Sequence, residues 1–152
     1  MKKRNRKYKP KPSGSTRAIR LIAMKEDFEE IENVFEQLKR GEVMEAKDPK
    51  NGEWVLVYKK ADGTLCYLLK VATEWVNFFK ELASHYMPDY NDKPMQKLLT
   101  KLRIGQNLDI ETVLEAEKVL NVQRQLYLNA DAKVYNAIGS KVVDNFYEQE
   151  ER

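Results

Sequence analysis

Between Leu69 and Tyr86 the apolar residues Leu69, Ala72, Trp75, Val76, Phe79, Leu82, Ala83 and Tyr86 recur at steps of three and four. That is the period of an α-helix, and a stripe this broad needs covering from more than one side. The segment predicts a central core helix around which the remaining elements pack. Met87-Pro88 ends it, because the residue before a proline is driven out of helical geometry.

Similar but narrower stripes lie on either side. Phe28, Ile31, Phe35 and Leu38 predict a first helix from about Met24 to Arg40, stopped by Gly41. Asp92, with Pro94 in the first turn, predicts a short helix carrying Met95, Leu98, Leu99 and Leu102 and closed by Gly105. Asp109 with Thr112 opens a helix over about Ile110 to Tyr127, whose inner face is Val113, Ala116, Leu120 and Tyr127. Asn129-Ala130-Asp131 either breaks the chain before a last helix or lies within one long helix. The last helix spans about Ala132 to Tyr147 and buries Tyr135, Ile138, Val142 and Phe146. Gly139 in its middle costs about 1 kcal/mol relative to alanine, which a close helix crossing would explain.

The stretch from residue 42 to 70 has another character. Glu53-Trp54-Val55-Leu56-Val57-Tyr58 and Thr64-Leu65-Cys66-Tyr67-Leu68 are rich in β-branched and aromatic residues and flank Lys60-Ala61-Asp62-Gly63. Asp-Gly there supplies the turn of a β-hairpin near 53–68, with a helical second segment as its rival. Pro49-Lys50-Asn51-Gly52 reads as a preceding turn, and Glu42 to Ala46 as a short third strand. The fold class is mainly α, about five helices with one small β-hairpin. It is a single compact domain over 17–152 behind a disordered N-terminal arm over 1–16.

That arm carries the clearest functional signal. Residues 1 to 20 contain nine basic residues and no acidic one, against 27 basic and 24 acidic in the whole chain. The rest therefore holds 27 − 9 = 18 basic and 24 acidic residues, so a +9 segment precedes a −6 body. Two prolines, one glycine and no apolar period over 1–16 leave too little to bury to offset the entropy of ordering. Lys2, Lys3, Arg4, Arg6, Lys7, Lys9 and Lys11 are candidate phosphate contacts, which give affinity without sequence readout, and Tyr8 is a candidate stacker on a base. The partner expected is DNA or RNA, or a host nucleoprotein complex. An acidic counterpart lies close by: Glu26, Asp27, Glu29, Glu30, Glu32 and Glu36 crowd the outer face of the first helix. The arm can fold back on this face. Alternatively Glu29, Glu30, Glu32 and Glu36 form a docking face for a basic protein surface.

No catalytic constellation accompanies these charges. His85 is the only histidine, and its place in the last turn of the core helix suits the negative helix end better than a metal shared with Asp89 and Asp92. Cys66 is the only cysteine, which excludes an internal disulfide and predicts a buried structural thiol. Phosphate loops, dinucleotide turns and nucleophile elbows are missing from the sequence, and Gly139-Ser140-Lys141 lies inside a predicted helix. The expectation is a protein that is not an enzyme and needs no cofactor or metal. Trp54, Tyr58 and Tyr67 on the hairpin read as cross-strand pairs packed on a helix rather than as a base-stacking platform. With no long apolar run and no secretory leader, a cytoplasmic protein without membrane contact is expected.

The Lys7-Tyr8-Lys9-Pro10-Lys11-Pro12 element, set in a lysine and arginine run before a helical body, resembles the start of small proteins of proteobacterial phages and prophages. The resemblance implies a phage accessory protein acting in the bacterial host cell. It also implies a second role, counter-defence by an inhibitor of anti-CRISPR type that occupies a host protein or nucleic-acid surface.

Overall fold

The computed structural model describes residues 12–105 and 108–139, with side chains from residue 22 onward. Helix α1 spans Pro12–Arg40, followed by strands β1 (Met44–Lys47), β2 (Trp54–Lys59) and β3 (Leu65–Tyr67). Helices α2 (Leu68–Tyr86), α3 (Lys93–Ile104) and α4 (Ile110–Asn129) come next, and residues 132–139 are helical again and form α5. The mainly α fold with its small sheet agrees with the expectation from the sequence.

Helix α1 starts well before the predicted Met24, at Pro12, so residues 12–16 belong to a helix and not to an arm. Proline fits a first turn because its missing N–H has no helical acceptor there. Beyond Gly14, good helix formers at Arg17, Ala18, Leu21 and Ala23 carry the helix into its apolar stripe. Residues 1–11 of the expected arm lie outside the described residues.

The sheet is antiparallel in the order β1-β2-β3, so the hairpin and its third strand both form. The hairpin loop closes with the Gly63 amide donating to the Lys60 carbonyl at 2.9 Å and the Lys60 amide to the Thr64 carbonyl at 2.8 Å. Only Gly63 takes positive φ, at 90°, while the Asp62 carboxylate accepts from the Thr64 amide. Strand β3 runs straight into α2, which disposes of the helical rival for this segment. Tyr58 is buried at 1 % exposure, but Trp54 remains 65 % exposed, paired with Lys47 across the ladder. The expected packing on a helix therefore holds for Tyr58 and fails for Trp54, which lies at the far end of β2. Tyr67 pairs with Val57, whereas Trp54 and Tyr58 point to the opposite face by strand alternation, so the three rings share no platform. Cys66, opposite Tyr58, is half-buried rather than enclosed, because a strand of three residues has no further neighbour to cover it.

Helix α2 is the predicted centre, with Leu68, Val76, Phe79, Leu82 and Ala83 buried. Helices α1, α3 and α4 surround it and add Phe28, Ile31, Val34, Phe35, Met95, Leu98, Leu99, Val113, Ala116 and Leu120 to one core. The side-chain amide of Gln37 ties α1 to the sheet. Its Nε2 donates to the Lys59 carbonyl at 2.6 Å and its Oε1 accepts from the Lys59 amide at 2.9 Å, as a neighbouring strand would.

The helix ends show which local signals act. Asp109 accepts from the Thr112 amide and hydroxyl, as its spacing predicts. Asp92 makes no bond of this kind to the backbone; Asn91 accepts from the Lys93 amide instead, and Asp92 from the Gln96 side chain. Asp92 has φ −101° and ψ 9°, not the extended backbone that aims a capping carboxylate at the helix. At Ala130 the chain is extended (ψ 146°), so α4 ends there and the two-helix reading holds. Val142 and Phe146 lie outside the described residues. A Cβ on Gly139 would come no nearer than 3.9 Å to Phe78, so no tight helix crossing requires this glycine.

Candidate functional site

Lys2, Lys3, Arg4, Arg6, Lys7, Tyr8, Lys9 and Lys11 lie outside the described residues. The acidic face of α1 is described, and much of its charge is met within the chain. Glu30 accepts from the Tyr58 hydroxyl at 2.6 Å and has the Lys60 ammonium at 3.6 Å. Glu32 pairs with Arg124 of α4, whose guanidinium also lies 5.1 Å from the centre of the Phe28 ring. Glu36 pairs with Lys39 and Arg40 on its own helix, and Lys39 holds its carboxyl below the usual range. Lys39 also reaches Glu117 of α4 at 2.9 Å. Glu29 is exposed. Glu30 thus links α1 to the sheet and Glu32 links it to α4, a use that helical periodicity alone does not reveal.

The same turn of α1 borders an aromatic site that sequence spacing does not expose. Six rings form a closed circuit: Phe28 to Trp75 (4.8 Å), Phe79 (5.0 Å), Phe78 (5.0 Å), Tyr135 (5.1 Å), Tyr127 (4.8 Å) and back to Phe28 (6.0 Å). Five of these contacts are edge-to-face, the arrangement that ring quadrupoles favour. Helices α1, α2, α4 and α5 each contribute, so the circuit exists only once all four have docked.

Hydrogen bonds hold these rings in place. The Trp75 indole N–H donates to Gln123 Oε1 at 2.8 Å, and Gln123 Nε2 donates to the Tyr90 hydroxyl at 3.0 Å. Gln123 is fully buried, and both ends of its amide are used. Burial pushes the Tyr90 phenol up to about 12, with Asp92 adding to the shift and the Gln123 bond opposing it. On the other side of the circuit the Tyr135 hydroxyl lies 2.8 Å from that of Tyr127. Both hydroxyls reach Asp27 Oδ2, at 3.4 and 3.1 Å. Burial, then the Tyr135 and Asp27 oxygens, raise the Tyr127 phenol well above its ordinary value, so it stays a donor at neutral pH.

A cavity of about 450 Å³ opens against these rings, within the size range of small-molecule sites. Trp75, Phe78, Phe79, Tyr127 and Tyr135 line it together with Ile31, Val71, Asn136, Gly139 and three carboxylates, Asp27, Glu30 and Glu74. Tyr135 and Trp75 are legible in the sequence as core residues and Asp27 as outer charge. Their meeting is not, since Asp27 and Tyr135 lie 108 positions apart.

The remaining candidates are dispersed. His85 is exposed at the end of α2, its ring 6.2 Å from that of Tyr86. Among the described residues no group of three or more His, Cys, Asp or Glu side chains is placed to hold a metal ion. None of the helices among the described residues is long and apolar enough to cross a membrane. Compared with known proteins, the chain matches no protein family, no curated protein and no solved structure.

Proposed function

We propose that this chain works by binding rather than by catalysis, gripping nucleic acid or a nucleoprotein complex through its basic N-terminal residues. The observation that carries this reading is the segregation of charge, nine basic and no acidic residues in the first twenty before a body with an acidic excess. Each lysine or arginine set on a phosphate releases a counterion, so a run of this kind binds by mass of charge and needs no shaped site. The bonding of α1 supports it further. Glu30, Glu32 and Glu36 have partners within the body, which leaves less carboxylate on that helix to hold the basic segment in competition with phosphate. The same partners count against the counter-defence reading, in which Glu29, Glu30, Glu32 and Glu36 would dock on a basic host protein. The resemblance carried by Lys7 to Pro12 suits a phage accessory protein acting in the cytoplasm of the host.

The test is fluorescence anisotropy with short labelled DNA and RNA over a range of salt. Intact chain is compared with a variant in which the seven basic residues between Lys2 and Lys11 are replaced by serine. If all seven meet phosphate, the logarithm of affinity for duplex DNA falls with the logarithm of salt at a slope of about −6. The variant is expected to lose binding while its thermal melt stays in place. Equal binding by the two chains would sink the proposal.

A further inference from the structure

The cavity beside the aromatic circuit has a charge pattern unlike an ordinary packing defect. Its described lining includes Asp27, Glu30 and Glu74 and no lysine, arginine or histidine. Glu30 is partly answered by Lys60 at 3.6 Å, while Asp27 receives only the neutral hydroxyls of Tyr127 and Tyr135 among its described bonds. Five rings make up much of the remaining wall, beside Ile31, Val71 and Asn136, and aromatic rings attract cations set over their faces. Gly139 also lines the space, and the open volume over the Phe78 edge is where a larger side chain would sit. Gly139 is the last described residue of α5, and a side chain longer than a methyl there would enter the cavity.

We infer that this cavity is a binding site for an organic cation, an alkylammonium or guanidinium group. The charged head sits toward Asp27, and the apolar body lies on Trp75, Phe78 and Tyr135. The two kinds of feature reinforce each other. Carboxylates alone would favour a hydrated metal ion, which needs converging oxygen ligands and gains little from rings. Rings alone would favour a neutral apolar ligand. A cation whose charge is spread over alkyl or planar nitrogen groups is weakly hydrated and is satisfied by both. The inference is independent of the reading of the basic N-terminal residues as a nucleic-acid grip.

Trp75 supplies the readout. The chain has two tryptophans, and Trp54→Phe leaves Trp75 as the only one without touching the cavity. In that background, emission is titrated at constant ionic strength with choline, with N-acetyl-arginine amide, and with 3,3-dimethylbutan-1-ol, the neutral isostere of choline. A saturable change is expected for the cations, with Kd on the order of 1 mM for a ligand as small as choline, and a response at least tenfold weaker for the alcohol. Preference between choline and the arginine amide separates a free alkylammonium from an arginine side chain as the natural source. Asp27→Asn is expected to weaken cation binding at least tenfold, and Gly139→Leu, which fills the space, to abolish it. Repeating the titration with the Lys2–Lys11 basic residues replaced by serine shows whether the chain's own basic segment holds the site. Tighter binding in that variant still identifies a cation site. Silence toward both cations in both chains, or equal saturation by the neutral alcohol, overturns the inference.

Discussion

Helices α1 and α2 each border two differently built regions. Toward α3 they present Ile31, Val34, Phe35, Leu38, Leu68, Ala72 and Val76, which meet Met95, Leu98, Leu99 and Leu102 and leave a void of only about 20 Å³. Toward α4 and α5 they present Asp27, Glu30, Val71, Glu74 and Phe78, and there the cavity is about 450 Å³. The same two helices thus make a dense seam on one side and an open, acidic, ring-walled space on the other. The difference lies in side-chain shape and charge. Branched aliphatic chains interdigitate to crystal-like density. Rings locked edge-to-face and pinned by hydrogen bonds cannot fold over to fill a gap, and carboxylates at its rim keep water and charge available.

The largest expected effect breaks the dense side. Leu99→Ala, at a site 2 % exposed, should cost about 2–5 kcal/mol in chemical denaturation. Val71→Ala, half-buried at the open cavity, should cost under about 1.5 kcal/mol, because no new enclosed void is made. Similar costs at the two positions would show that the contrast between the regions is not real. Next in size is Gln123→Ala, which leaves the Trp75 indole and the Tyr90 hydroxyl without their partner at a fully buried site. It should destabilise by about 1–3 kcal/mol, and Trp75 emission should shift as its ring is released. The smallest effect sharpens the open side. Gly139→Ala should stabilise by about 1 kcal/mol in thermal unfolding, because its Cβ meets only Phe78 at 3.9 Å. A loss of stability there would point to a tight crossing after all.

The legibility of the two regions differs in the same way. The seam toward α3 was readable in large part, since Leu98, Leu99 and Leu102 stand at helical spacing after Pro94 and Val76 lies in the broad stripe of α2. The aromatic circuit was not, because Phe28, Trp75, Phe78, Tyr127 and Tyr135 come from four helices and each ring taken singly reads as ordinary core. The acidic face of α1 is legible in the sequence as a face. Its division among Tyr58, Lys60 and Arg124 depends on which elements dock beside it.

By itself the sequence determined what is settled within a turn or two of chain. The Asp109–Thr112 cap, the turn at Gly63 and the central stripe of α2 depend on bonds and side-chain directions among near neighbours. Only the tertiary structure decided which stripe meets which, where the glutamates of α1 find partners, and that six rings form a circuit beside a cavity lined in part by carboxylates. The physical reason is range. Helical and turn periods record the few residues on either side of a position, whereas the Asp27–Tyr135, Trp75–Gln123 and Glu32–Arg124 contacts join positions 108, 48 and 92 residues apart, and no local pattern encodes such a pairing.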